Sequence, residues 1–231
     1  MLNNNSSEII PVSIEVNITK NYLINYEKLN SLTHGIGALL SVIGVFYLIS
    51  LANSHGGTWQ IISCSIYGFT LILLYLASAF YHGAEEELMK KKLEKVDHSC
   101  IFLLIAGSYT PFALLILKGT MGWTIFAFVW AAAVLGIIYK VFYIDRFKKL
   151  STLLYLIMGW ALLPALNTVI SNLPFNGLVL LVLGGVFYSS GVIFYLQDKR
   201  PYFHPIWHLF VMGGSISHFF AIMNYVLPAT L

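Results

Sequence analysis

Charge is scarce in this chain. Asp, Glu, Lys and Arg make up only 10% of its 231 residues, against 58% hydrophobic residues and a mean hydropathy of +0.78. A soluble domain carries about 25% charged residues, so 13 Lys+Arg and ten Asp+Glu cannot cover a 25.9 kDa globule this rich in Leu, Ile, Phe and Tyr. The shortage excludes an ordinary cytoplasmic enzyme and a disordered chain. The net charge of +3 comes from a few clusters and forms no basic stripe, which excludes a nucleic-acid partner. Two cysteines make no disulfide framework. Also missing are an internal repeat, the roughly ten-residue alternating segments of a β-barrel, and a basic n-region with an apolar run at the N-terminus.

What is abundant is long apolar sequence. A membrane-spanning helix needs about 20 largely apolar residues, and seven stretches qualify, at about 31–52, 58–81, 98–117, 121–141, 150–170, 177–196 and 204–226. The connections are short and carry helix breakers, such as Asn53-Ser54-His55-Gly56-Gly57 and Asn172-Leu173-Pro174. The sequence therefore predicts an all-α integral membrane protein, a seven-transmembrane-helix bundle in one domain over residues 26–231. Residues 1–25 read as a polar cytoplasmic tail, in which Ile14, Val16 and Ile18 alternate with polar residues as in a short extended arm or a flexible segment. Pro111 and Pro164 are expected to kink their helices, and Gly184-Gly185 and Gly213-Gly214 to let helices approach closely.

The basic residues set the orientation. With the N-terminus cytoplasmic, twelve of the thirteen Lys and Arg fall on the inner side and only Lys118 outside. The odd number of spans then puts Leu231 outside. The expected location is the cell membrane, multi-pass. Cys64 and Cys100 fall near opposite faces, about 27 Å of helix apart, and cannot pair.

Ionisable residues in a membrane are costly and mark function by default. Here they converge on the inner level. His82 closes the second span, Asp97 opens the third, and His204 and His208 open the seventh. Ser78 lies one turn before His82 on the same face, and Glu27, Asn30 and His34 stand at the mouth of the first span. Imidazoles at i and i+4 can grip one metal ion, and a third from His82 completes a set with the fourth position open, the pattern of catalytic zinc. Asp97 could hold the metal's water. The competing reading makes the histidines interfacial groups bonded to carbonyls and Asp97 an N-cap of the third helix. His218 lies about 15 Å beyond His208 and reads as a buried, hydrogen-bonded imidazole outside any such site. Trp59, Trp123, Trp160 and Trp207 are expected in an interfacial belt.

At these residues the sequence resembles the haemolysin III family, the bacterial branch of the progestin and adipoQ receptor family that includes the adiponectin receptors. The matching segments are Glu27-x-x-Asn30-x-x-Thr33-His34-Gly35, Ser78-Ala79-Phe80-Tyr81-His82, Asp97-His98, Gly107-Ser108-Tyr109-Thr110-Pro111-Phe112, and His204-Pro205-Ile206-Trp207-His208 with Ser217-His218-Phe219. The resemblance implies seven helices with a cytoplasmic N-terminus and zinc held by His82, His204 and His208. It also implies Asp97 reaching the metal through water, and Ser78 matching the serine of a wider superfamily of membrane hydrolases.

Three functions compete on this reading. The first is a zinc-dependent hydrolase of a lipid amide or ester at the inner leaflet, with membrane lipids as partners, Asp97 as general base and Ser78 donating to the oxyanion. The second is a non-enzymatic regulator or receptor-like protein with zinc as a structural staple. The third is a cytolytic pore, which fits poorly because the outer half of the bundle offers little polar surface beyond His218 and scattered Ser and Thr.

Overall fold

A computed structural model describes residues 12–55, 57–143 and 148–228. The described residues are helical almost throughout, and seven helical stretches are long and apolar enough to cross a membrane. The reason is elementary. Hydrocarbon offers no partner for backbone N–H and C=O groups, so each crossing segment satisfies its own.

The first span belongs to α1 (Val12–His55), and α2 (Thr58–Gly83) returns. The third span is α3 (Glu87–Pro111) with a π-helical end over Phe112–Leu117, and α4 (Gly119–Tyr143) is the fourth. The fifth is broken into α5 (Lys148–Gly159), a 3-10 turn at Leu163–Ala165 and α6 (Leu166–Asn172). α7 (Phe175–Tyr195) and α8 (Phe203–Ala221) complete the bundle, the last ending in a π turn over Ile222–Val226. Neighbours in sequence pack side by side, α1 closes against α8, and α3 is the most deeply buried span. Its buried residues include a run of small ones, Ala106, Gly107, Ser108 and Thr110, beside Phe102, Leu104 and Tyr109. Gly107 is required there, because a Cβ would collide with the Thr70 side chain of α2.

Both expected proline distortions are present. Pro111 lacks an N–H and ends the α-helical part of the third span, and the chain continues in wider turns closed by Lys118 N–H donating to Ala113 C=O at 3.1 Å. Pro164 lies in the break of the fifth span. There the Tyr109 hydroxyl donates to the Gly159 carbonyl at 2.7 Å, satisfying backbone that the break leaves free.

Three expectations are corrected. The third helix begins at Glu87, not near Asp97, and its cap is Glu86, whose carboxylate accepts from the N–H groups of Leu88 and Met89 at 3.2 and 3.1 Å. Asp97 is thus an interior helical residue and not an N-cap. The stretch 87–97 reads as a loop because it is charged, yet Glu, Leu, Met and Lys are strong helix formers, and Glu87 pairs with Lys91 at 2.9 Å along it. Second, the backbone is helical from Val12, so Ile14, Val16 and Ile18 lie on a helix; residues 1–11 of the expected tail lie outside the described residues. Third, the tryptophans are not one belt. Trp59 and Trp123 are half-exposed and meet edge to face, whereas Trp207 is buried against Tyr195 at 4.9 Å.

Midway through the bundle, Ser215 of α8 ties three helices. Tyr75 of α2 donates to its Oγ at 2.8 Å, Tyr188 of α7 shares that oxygen at 2.9 Å, and the Tyr67 hydroxyl reaches its carbonyl at 3.4 Å. Cys64 and Cys100 are free and buried, as expected.

Candidate metal centre

His82 ends α2, and His204 and His208 occupy the first turns of α8. These segments adjoin because α1 packs on both α2 and α8. One nitrogen from each of the three rings lies within 4.8 Å of the others. His82 Nε2 and His204 Nε2 are 3.2 Å apart. Nitrogens bound to one tetrahedral ion at 2.0–2.1 Å are separated by about 3.3 Å, so the spacing fits a shared ion. His208 is fully buried, and its Nε2 has no hydrogen-bond partner. In hydrocarbon such an orphan costs about 1–3 kcal/mol unless something satisfies it. Three neutral imidazoles, one of them orphaned, fit a divalent ion that favours nitrogen donors. The structure thus brings together the three histidines expected from the sequence.

Ser78 and Asp97 form a second polar pair in the walls of α2 and α3. Both are buried, and the Asp97 carboxyl faces the Ser78 hydroxyl, which makes no other polar contact. Ser78 is one turn from His82 on α2, so this pair lies beside the histidines. Asp97 is not itself a member of the ligand group.

The first helix supplies what the sequence reading did not assign. Glu27 Oε2 accepts from His82 Nδ1 at 2.7 Å and also meets Lys90 Nζ at 3.3 Å. Thr33 Oγ1 contacts His208 Nδ1 at 2.9 Å, and the His34 ring stacks on His208 with centroids 3.6 Å apart. The signal was present: Glu27 and His34 are seven residues apart, two turns of one helical face. Lys90 of α3 thereby joins the first helix to the same cluster.

Beside the centre, an apolar cavity of about 110 Å³ runs between α3, α5, α7 and α8. His34 and Trp207 are at the end nearest the histidines, and His218 lies in its wall together with Ser108 and Gly185. A second space of about 90 Å³ toward α6 shares Ser108, Tyr109, Trp160 and His218 with it. His218 donates from Nε2 to the Leu181 carbonyl at 3.2 Å, the bonded imidazole expected there, though its side chain is only half-buried. Gly184 gives that ring its place, since a Cβ would collide with it.

Comparisons with known proteins place the chain among relatives along most of its length. The family described as Haemolysin-III related matches residues 22–219, a range that contains every residue of the centre. Hemolysin-3 of Bacillus cereus is 46% identical over 205 residues, covering 89% of this chain and 94% of that protein. The Hemolysin-3 homolog of Bacillus subtilis (strain 168) is 46% identical over 204 residues, with 88% and 96% covered. The monocyte to macrophage differentiation factor of Homo sapiens is 32% identical over 203 residues, with 85% and 83% covered. No solved structure gives a significant match.

Proposed function

The chain belongs to the haemolysin III-related family and is a multi-pass protein of the bacterial plasma membrane, and from that premise we propose that it is a zinc-dependent hydrolase of a lipid amide or ester at the inner leaflet. The observation that carries the reading is the apolar cavity that begins at the two residues packed on His208, namely His34 and Trp207. The apolar lining of that cavity suits the tail of an acyl chain, with its polar end directed to the histidines. The orientation that makes this the inner leaflet comes from the basic residues, twelve of thirteen on one side.

Zinc held by His82, His204 and His208 would supply an electrophile for the scissile carbonyl and acidify a water molecule. Asp97 would act as the general base, taking a proton from the water that attacks the carbonyl and handing it to the amine or alcohol that leaves as the C–N or C–O bond breaks. Ser78 faces Asp97, and its single hydroxyl hydrogen turns from the carboxyl to the developing oxyanion once Asp97 has taken its proton. The apolar walls exclude bulk water and strengthen each of these polar contacts.

The test is Asp97→Asn beside His82→Ala, with zinc content, thermal stability and lipid turnover measured on each. Asp97→Asn should keep zinc and fold while turnover is lost; His82→Ala should lose both zinc and turnover. A zinc-loaded Asp97→Asn protein with full function overturns the hydrolase. It leaves the second reading, a regulator in which zinc staples α2 to α8, which the placement of the ligands on those two helices favours.

A further inference from the structure

We infer that α1, which contributes no residue to the ligand group, sets the affinity of that group for its metal: Glu27 and Thr33 hold the rings of His82 and His208 with Nε2 free, and His34 holds the plane of His208. This rests on the metal reading above and adds a role for a helix outside the ligand set.

Proton counting fixes the two tautomers. A threonine hydroxyl has one hydrogen, and that of Thr33 is donated to the Asn30 carbonyl at 2.8 Å. Toward His208 Nδ1, 2.9 Å away, Thr33 Oγ1 must therefore accept. Nδ1 carries the hydrogen, and Nε2 presents a bare lone pair, which is the buried atom without a partner. For His82 the argument is shorter. A carboxylate only accepts, so Nδ1, 2.7 Å from Glu27 Oε2, carries the hydrogen and Nε2 is again the lone pair. That lone pair is the atom 3.2 Å from His204 Nε2. Lys90 meets the same Glu27 oxygen at 3.3 Å and keeps the carboxylate in place.

His34 acts through its face. Its ring lies 15° from parallel to His208 at 3.6 Å, and Tyr75 closes on it edge-on at 5.0 Å. Neither of its nitrogens is hydrogen-bonded. A flat ring of the same width should therefore replace it, whereas a small side chain should free His208 to tilt. Residues that orient metal-ligating histidines change metal affinity by about 10–100-fold when removed.

The experiment titrates zinc into metal-free, detergent-solubilised full-length protein against a chromophoric chelator, with the visible band of bound cobalt(II) as a second readout. Thr33→Val and Glu27→Leu should each weaken zinc by about 10–100-fold, and His34→Ala should weaken it as well. Thr33→Ser, which restores the acceptor, and His34→Phe, which restores the stacked ring, should bind as the wild type does. Melting of the metal-free proteins separates altered affinity from lost fold, and Thr33→Val, close to isosteric, decides alone where Glu27→Leu does not fold. Wild-type affinity in Thr33→Val overturns the inference and leaves the metal centre standing. A wild-type chain that takes up neither zinc nor cobalt overturns the metal reading and this inference with it.

Discussion

Stripping the metal should loosen the bundle by an amount that linkage sets. His82 and His204 are 122 residues apart in sequence and 3.2 Å apart at Nε2, so unfolding scatters the ligands and zinc stabilises only the folded chain. At a free concentration of 1,000 times its Kd, a ligand of this kind contributes about 4 kcal/mol. In a chain of this length each kcal/mol moves the melting temperature by about 2–4 °C. The zinc-dependent increment should therefore be about 8–16 °C. The assay is thermal unfolding of detergent-solubilised protein followed by tryptophan fluorescence, in zinc, after chelation, and after zinc is restored. His208→Ala removes a fully buried ligand and its bond to Thr33. It should lower the metal-free melting temperature and abolish the increment. His218→Ala should keep the increment, because its ring bonds Leu181 about 15 Å along α8. A melting temperature indifferent to zinc, in protein that elemental analysis finds free of metal, refutes the shared-ion reasoning.

Other outcomes follow from single contacts. Ser215→Ala leaves the buried Tyr75 and Tyr188 hydroxyls without their shared oxygen and should destabilise by about 1–3 kcal/mol, read by the same melt with zinc uptake unchanged. Gly184→Ala drives a methyl group into the His218 ring and should cost about 1–3 kcal/mol by overpacking, again without loss of zinc; a neutral effect would mean that α7 and α8 separate more readily than their packing implies. Reporter fusions should place the N-terminus in the cytoplasm and Leu231 outside, as the basic residues require, and an external N-terminus would move the centre to the other leaflet.

Much of this was open to reading in one dimension. The seven spans follow from the thickness of hydrocarbon, and the free, buried cysteines from their depth. The histidine set was visible because His204 and His208 lie one turn apart, and because His82 ends a span at the same level. The change to wider turns after Pro111 and the break at Pro164 reflect a ring that donates no N–H. Other features escaped because a local pattern competed with them. The charged run before Asp97 hid more than two turns of helix, since hydropathy registers charge and not helix propensity. Trp207 sits at a span end, yet it is buried because α7 places Tyr195 against it.

The sequence alone determined that the chain crosses a membrane seven times and which imidazoles reach one depth, because both depend on distance along a helix, which residue counting measures. Which residues face those imidazoles from other helices depends on how the helices rotate and pack about one another. Only the tertiary structure could show Glu27 on His82, Thr33 and His34 on His208, Ser78 facing Asp97, and a cavity starting beside them. The physical reason is that lipid solvates every apolar face of a spanning helix equally well. Hydrophobicity then does not say which face turns inward, and the choice falls to close packing and to the few polar groups that must find partners.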